Sequence, residues 1–325
     1  MKPQKSYQQE LYDHEPEREA FLNAVLKGLQ REQKELPCKF LYDERGSALF
    51  DSICELDDYY PTRTELHIMQ KHINDIVRSI GENVVLIEYG SGSSLKTRIL
   101  LDHFQKLTAY IPIDISKEHL LNAATEVKKL YPDLNIQPVC ADYTRPFNLP
   151  DNIDLTAKRV VYFPGSTIGN FHPGEAVEFL RSMSKVLHNN GSLLLGIDLK
   201  KDPLILHRAY NDRAGVTEAF NMNILVRSNR ELGTNFRTDL FNHYAFFNPR
   251  LGRIEMHLVS LDDQDIRING TTVSIAKGES IHTECSYKYT LKEFEKLAKK
   301  AGYTVDRVWT DEDELFSVQL LTLAG

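Results

Sequence analysis

The chain is short of the features that would settle its class at once. Its four cysteines, Cys38, Cys54, Cys140 and Cys285, are scattered with no CxxC pair, which argues against a disulfide framework or a clustered metal site and leaves reduced, buried thiols as the expectation. No apolar run reaches the roughly 18 residues of a membrane span. The opening stretch, MKPQKSYQQELYDHEPEREAF, is polar and contains no apolar signal core. Basic residues are not in excess: 39 Lys and Arg against 46 Asp and Glu give a net charge of -7, the wrong sign for a dedicated nucleic-acid binder. Internal repeats and low-complexity linkers are also missing. These absences predict a cytoplasmic chain with no membrane, nucleic-acid or metal partner. What is present is ordinary globular composition, 42% hydrophobic and 26% charged over 325 residues, enough for two domains or one domain with a large insertion.

Hydrophobic periodicity organises the chain. Phe21, Val25, Leu26 and Leu29 predict a helix over 16–31, and a second runs over 47–56. Pro61 is expected to break the chain there, with Thr62 or Thr64 capping a helix near 65–79. Strands then alternate with helices: strand 84–89, helix 95–106, strand 107–113, helix 117–130, strand 135–140, strand 159–163, helix 173–189, strand 191–197. Such alternation implies a parallel, doubly wound sheet. It stops near Asp198. Residues 203–232 read as helical, and 236–285 as short strands separated by Asn248-Pro249 and Asn269-Gly270. A helix over 291–301, a Gly302 cap and strands 304–309 and 316–323 close the chain. The fold class is therefore α/β, with a sheet domain at 61–198 plus 287–325. A second, inserted α+β domain takes 1–60 and 199–286.

The first strand ends in Glu88-Tyr89-Gly90-Ser91-Gly92-Ser93-Ser94-Leu95-Lys96. Glycines after a strand permit positive φ and close approach of a ligand, although GxG alone is common by chance. Asp114 ends the second strand about 20 residues downstream of Gly90, where nucleotide-binding sheets hold ribose hydroxyls. Asp142 ends the third. Carboxylates at successive strand ends face one crevice, so the three together point to a nucleoside. Glu88 would disfavour a pyrophosphate and suit a cationic methionine moiety, which favours S-adenosylmethionine over a dinucleotide. Lys96 is read as the partner of that cofactor's carboxylate.

Longer strings then become specific: LYDERGSALFDSICELDDYYPTRTE, EYGSGSSLKTR, PIDIS, FPGSTIGNF, AYNDRAGVTEAFN and TECSYKY. Together, over residues 35–325, they resemble the histidine-specific Nα-methyltransferases of ergothioneine biosynthesis. The resemblance implies a class I methyltransferase Rossmann-like domain with a distinctive substrate domain, and a monomer is expected. It implies transfer of three methyl groups from S-adenosylmethionine to the α-amine of L-histidine, giving hercynine. By motif, Gly90, Lys96, Asp114, Asp142 and Tyr143 would line the cofactor. Tyr60, Asn170 and Tyr210 would hold the amino and carboxylate ends of histidine, with Tyr60 and Asn170 nearest the chemistry and Tyr42 a further candidate at the amine. Glu284 and Ser286 would bind the imidazole, with Met256 packed beside it. Tyr143 replaces the Phe usual in the family.

The residue types suit the chemistry. Methyl transfer needs a neutral amine lone pair in line with the S–CH3 bond, so positioning supplies most of the acceleration. Asn170 and the phenols orient a substrate without adding charge beside a sulfonium. No His or carboxylate stands out as a base, and water suffices if the cationic cofactor lowers the amine pKa. Glu284 can accept from an imidazole N–H, which apolar side chains do not offer. The competing expectations are a methyltransferase of this fold acting on another aromatic amino acid, such as tryptophan, and a catalytically silent nucleoside-binding protein.

Overall fold

The computed structural model describes residues 11–14, 18–92, 95–154, 156–188 and 190–324. Elements run in the order β1 (Tyr12–His14), α1 (Arg18–Leu29), β2 (Lys34–Glu35), α2 (Glu44–Cys54), α3 (Tyr60–Ile80), β3 (Val84–Tyr89), α4 (Leu95–Leu101), β4 (Leu107–Asp114) and α5 (Lys117–Leu130). They continue with β5 (Val139–Ala141), β6 (Lys158–Phe163), α6 (Pro173–Leu187), β7 (Ser192–Asp198), α7 (Pro203–Tyr210) and α8 (Val216–Leu232). The chain closes with β8 (Phe241–Asn248), β9 (Arg253–Ser260), β10 (Gln264–Ile268), β11 (Thr271–Ile275), β12 (Ser280–Tyr287), α9 (Leu291–Lys300), β13 (Tyr303–Thr310) and β14 (Phe316–Leu323).

An eight-stranded sheet has the order β1-β5-β4-β3-β6-β7-β14-β13. β3 pairs in parallel with both β4 and β6, whereas β14 runs antiparallel to β7 and to β13. This is the strand order and closing hairpin of a class I methyltransferase fold. Every residue of β3 and β7 is buried, because helices cover both faces and leave no solvated side to alternate toward. Val85, Ile87 and Tyr89 face one core layer, Val84 and Leu86 the other. Strand order reverses at β3, so the crevice beyond the carboxyl ends of β3, β4 and β6 is where this topology places a ligand.

A second core gathers Phe21, Leu41, Phe220, Met256 and Leu258. It is built on a four-stranded sheet, β2-β12-β9-β8, with the β10–β11 hairpin beside it. Asn269 and Gly270 turn that hairpin with φ of 45° and 80°, the paired positive values that a two-residue loop of this hand requires.

Several boundaries differ from the sequence expectation, each for a local reason. Pro61 does not interrupt the chain; it occupies the first turn of α3, with Tyr59 as the capping residue and no side-chain cap from Thr62 or Thr64. A missing N–H is harmless there because that turn has no acceptor for it. α4 stops at Leu101, short of 106. β5 is reduced to Val139–Ala141, as Pro138 has no N–H to extend the ladder. Residues 203–232 form two helices, with Gly215 at φ 72° before the second. Tyr12–His14 joins the edge of the large sheet in parallel with β5, although the sequence placed it in the inserted domain. No described helix is long and apolar enough to cross a membrane.

The 3-10 turn after β6 packs directly on β12, and a Cβ added at Gly169 would lie 2.7 Å from the Tyr287 carbonyl oxygen. Gly169→Ala should therefore destabilise the fold by roughly 1–3 kcal/mol, the usual overpacking range. Thermal denaturation of the variant should show a lowered Tm, whereas Gly174→Ala, at an open position, should leave it unchanged.

Candidate active site

Backbone geometry shapes the first part of the site. Gly90 and Gly92 take φ of 71° and 45° at the end of β3, values that side-chain-bearing residues rarely adopt. The Gly92 N–H points at the Asp114 carboxylate (3.3 Å), which also accepts from the Ser116 N–H at 2.9 Å. Burial pushes the Asp114 carboxyl up, partly offset by these N–H donors. Asp142, one strand further out, accepts from Lys39 Nζ at 2.6 Å and from the Thr144 N–H at 3.0 Å. Burial alone would raise its pKa; Lys39 and Thr144 outweigh it and hold the carboxyl below the usual range. The Tyr143 ring stacks on Tyr89 with centroids 5.5 Å apart. Gly90, Asp114, Asp142 and Tyr143 line one cavity of about 940 Å³.

The same cavity reaches Asn170, Tyr42 and Glu284. Asn170 ends a 3-10 turn (Thr167–Asn170) launched by Ser166 in the left-handed region, φ 58°. A shared Ser166 contact fixes the turn to the sheet, since the Asp198 N–H donates to Ser166 Oγ at 2.9 Å. Glu284 is aimed by a β-bulge. His282 pairs with His257 and Glu284 with Met256, leaving Thr283 as the extra residue. Thr283 Oγ1 reaches the Met256 carbonyl at 3.1 Å and also donates to Asn221 Oδ1, while Asn221 Nδ2 donates to the His257 carbonyl. The bulge moves Glu284 and Ser286 onto the side of the second core, and Cys285 and Tyr287 onto the large-sheet core. No hydrogen bond from a described residue reaches the Glu284 carboxylate. Burial pushes it up to about 7, with Lys288 opposing.

Behind the cavity lies a buried ionic network centred on Asp198, the last residue of β7. Its carboxylate accepts from Tyr60 Oη at 2.8 Å, from Lys201 Nζ at 2.6 Å and from Lys288 Nζ at 2.6 Å. Burial would raise Asp198, but Lys288 and Lys201 hold it below the usual carboxylate range. Lys201 also donates to Tyr60 Oη at 2.8 Å and sits over that ring; burial draws its pKa down to about 8. Lys288 donates to Ser286 Oγ at 2.8 Å and to Tyr210 Oη at 3.2 Å, and Tyr210 Oη donates to Ser286 Oγ at 3.0 Å.

The expected site residues thus separate into groups. Gly90, Asp114, Asp142, Tyr143, Asn170 and Glu284 share the cavity. Tyr60, Tyr210 and Ser286 stand together in the Asp198 network. The Lys96 ammonium pairs with fully buried Glu65, which also accepts from the Gly165 N–H at 2.9 Å. Met256 lies directly across the ladder from Glu284 and is 1% exposed within the second core. Glu88 faces away from the crevice, on the side of Val84 and Leu86, and accepts from Thr97 and Tyr110. Burial pushes it up to about 8, so it lends no anionic charge to a ligand across the sheet. Asp198 follows the same strand-end rule as Asp114 and Asp142 and was open to the same reasoning. Lys288 lies within the TECSYKY string, where it reads as an ordinary lysine at a strand end, and Lys39 has no periodicity or motif to mark it.

One further cluster stands apart. A ligand atom each from Glu255, His257 and His282 lies within 4.8 Å of the others. Arg253 Nε holds the Glu255 carboxylate at 2.9 Å, and its positive charge opposes a divalent cation there.

The Glu284 shift has a consequence for stability. The carboxyl ionises near 4.5 in an unfolded chain and near about 7 in the folded one, so the folded state holds the proton more tightly. Stability from this group is full below pH 4.5 and is lost as pH rises through about 7. Glu284→Gln should therefore be more stable at about pH 8, on the order of 2–3 kcal/mol, and show a raised Tm there. Melting curves of the two proteins should converge as pH falls toward 4.5.

Comparison with known proteins agrees with this geometry. The family model described as "Histidine-specific methyltransferase, SAM-dependent" matches residues 21–323. Histidine N-alpha-methyltransferase of Mycolicibacterium smegmatis is 39% identical over 307 residues, covering 93% of this chain and 94% of that protein. The protein of the same name from Mycobacterium tuberculosis is 39% identical over 301 residues, covering 91% and 92%. A 4-dimethylallyltryptophan N-methyltransferase of Claviceps purpurea is 29% identical, covering 92% and 94%. With nearly its whole described length matched, the chain belongs to the SAM-dependent histidine-specific methyltransferase family.

Proposed function

We propose that this protein transfers three methyl groups from S-adenosylmethionine to the α-amino group of L-histidine, forming Nα,Nα,Nα-trimethylhistidine and S-adenosylhomocysteine. The observation that carries the reading is the buried, unpartnered Glu284 carboxylate in the same cavity as Asp114 and the Gly90 turn. A substrate ring bearing an N–H supplies the donor that this carboxylate lacks, and a site built around such a bond rejects rings without one. Phenylalanine fails that test. Tryptophan has the N–H but a bulkier ring, and the tryptophan-derived relative leaves it as the reading to compare.

The cavity fits S-adenosylmethionine on its own chemistry. Asp114 offers carboxylate oxygens for ribose hydroxyls, Asp142 an acceptor for the adenine amine, and the Gly90–Gly92 backbone close approach. Tyr143 supplies a ring wall. When bound, the cofactor contributes an electrophilic methyl on a sulfonium. The chain's own residues then hold the amine in line. Asn170, with no side-chain hydrogen bond to a described residue, is free to bind the amino-acid end of the substrate. Tyr60 has committed its one proton to Asp198 and accepts from Lys201, so toward an ammonium it acts as an acceptor. Neither residue adds a net charge beside the sulfonium, and positioning supplies the rate. Water takes the amine protons.

In this reading residues 61–198 and 287–325 form the cofactor domain, while 1–60 and 199–286 form the substrate domain, with Tyr12–His14 returning to the large sheet. The protein acts as a cytoplasmic monomer on a small-molecule substrate.

Mass spectrometry of histidine incubated with enzyme and S-adenosylmethionine should show addition of one, two and then three methyl groups. Faster turnover of tryptophan than of histidine would replace the substrate assignment, and binding of cofactor without turnover of either would leave a silent nucleoside-binding protein. Glu284→Ala should raise the KM for histidine by about 100-fold or more while calorimetric affinity for S-adenosylmethionine holds. Asp114→Ala should do the reverse, weakening the cofactor roughly 10–100-fold. An equal loss of both ligands in either variant would contradict the division of roles.

A further inference from the structure

Residues 36–42 lead from the edge of β12 to the start of α2, and Lys39 in their midst lines the same cavity as Asp142. Their backbone is fixed on the side of the second core. The Leu36 N–H donates to the His282 carbonyl at 2.8 Å, Arg227 to the Phe40 carbonyl at 3.2 Å and Asn223 Nδ2 to the Leu41 carbonyl at 3.3 Å. Phe40 and Leu41 are buried in that core. The Lys39 side chain reaches the other way, over the Phe40 ring, and its Nζ donates to Asp142 Oδ2 at 2.6 Å. Asp142 Oδ1 accepts both the Thr144 N–H and the Thr144 hydroxyl. Each carboxylate oxygen has two lone pairs, so Oδ1 is filled and Oδ2 keeps one beside Lys39. Arg145 Nε stands 3.7 Å from Oδ2, beyond hydrogen-bond reach. An ammonium has three N–H donors, and Lys39 spends one on Asp142 with no second hydrogen bond to a described residue. The cavity wall thus presents an acceptor and an obligate donor 2.6 Å apart.

We infer that Lys39 is the second half of a purine-reading pair: Asp142 Oδ2 accepts from the 6-amino group of the cofactor's adenine, and the Lys39 ammonium donates to the ring nitrogen beside that group. The assignment rests on S-adenosylmethionine lying with its base at Asp142, and it deepens that reading. Adenine sets a donor next to an acceptor on each edge that bears its amino group, with N1 on one edge and N7 on the other. An acceptor and a donor at hydrogen-bond spacing are the complement of either edge. A carboxylate alone recognises any amine. The ammonium has no lone pair to offer in exchange, so a base with C–H in place of that nitrogen leaves a charged donor unpaired, and bonds from charged donors are the stronger ones. Lys39 belongs to a stretch held by β12 and the second core, whereas Asp142 ends a strand of the large sheet. The base is therefore read by both halves of the molecule, and its seat is complete only where the two meet.

Calorimetry with S-adenosylhomocysteine and its 1-deaza and 7-deaza analogues tests the pair, since each analogue replaces one ring nitrogen by C–H. Wild-type protein should bind the analogue lacking the nitrogen that Lys39 reads about tenfold or more weakly than the parent. Lys39→Met should erase that penalty: affinity for the parent falls to that of the analogue, while the analogue itself is bound within twofold of wild type. A role in charge pairing alone would weaken the parent and both analogues by one common factor, and that result would overturn the assignment. Unchanged affinity for the parent would overturn it equally. If the carboxylate stranded by Lys39→Met abolishes binding, the comparison moves to the Asp142→Asn background, where no buried charge is left unpaired. There a penalty present with Lys39 and absent in Lys39→Met supports the pair, and a penalty the same in both overturns it. An analogue without the 6-amino group separates this from the reading beneath it. Wild-type protein that binds it as tightly as S-adenosylhomocysteine would remove the base from Asp142 altogether, whereas a loss there without any Lys39-dependent penalty would overturn the role of Lys39 alone.

Discussion

Asp198 carries the interaction on which the two halves of the protein depend. It ends β7 in the middle of the large sheet, yet its carboxylate is held by Lys201 and Lys288, which lie at the two points where the chain leaves that sheet and returns to it. Two ammonium groups around one buried carboxylate would be costly to desolvate without further acceptors. Tyr60, Tyr210, Ser286 and the Leu199 carbonyl supply them. Removing any single charge would strand the others, so the crossover geometry and the hydroxyl orientations are set by the same group of bonds.

Much of the large sheet was legible in the sequence because its information is local. Strands buried on both faces read as continuous apolar runs, and the Gly90 turn, Asp114 and Asp142 fall at ends that the alternation itself marks. Asn269-Gly270 announced its hairpin for the same reason, since few other pairs tolerate two positive φ values. Sequence reasoning faltered where tertiary context decides. Pro61 looked like a break but serves as a helix start, since it falls in the first turn after the capping residue Tyr59. Lys96 is read as a cofactor partner from its charge and its place in the EYGSGSSLKTR string, and only the fold brings Glu65 beside it. Glu88 was credited with a field at the site, but strand parity turns it to the opposite face. Lys288 stands in the TECSYKY string, but its role is not legible there, because a lysine buried against Asp198 and Tyr210 from distant segments looks in sequence like any solvated one.

The electrostatic layout follows the demands of a cationic reaction centre. Several charged groups around the site are paired, Asp142 with Lys39, Glu65 with Lys96 and Asp198 with two lysines, while Asp114 is held by backbone N–H groups. Among the described residues, the Asn170 amide in the cavity is neutral, and burial pushes the Glu284 carboxyl up to about 7. A methyl-transfer site assembled this way holds its ligands by hydrogen-bond direction more than by net charge. That arrangement tolerates an amine whose own charge and bulk change with each methyl it gains.

The one-residue bulge at Thr283 gives this recognition an unusual mode of change. Side chains downstream of it reach the substrate side only because the ladder is out of step by one. Substitution at Glu284 or Ser286 alters one contact at a time and leaves the register intact. Loss of a single residue from the strand would exchange the two faces together, presenting Cys285 and Tyr287 inward and turning Glu284 toward the large sheet. Divergence of this pocket is therefore gradual by replacement and abrupt by deletion, and the length of β12 is under tighter constraint than its composition.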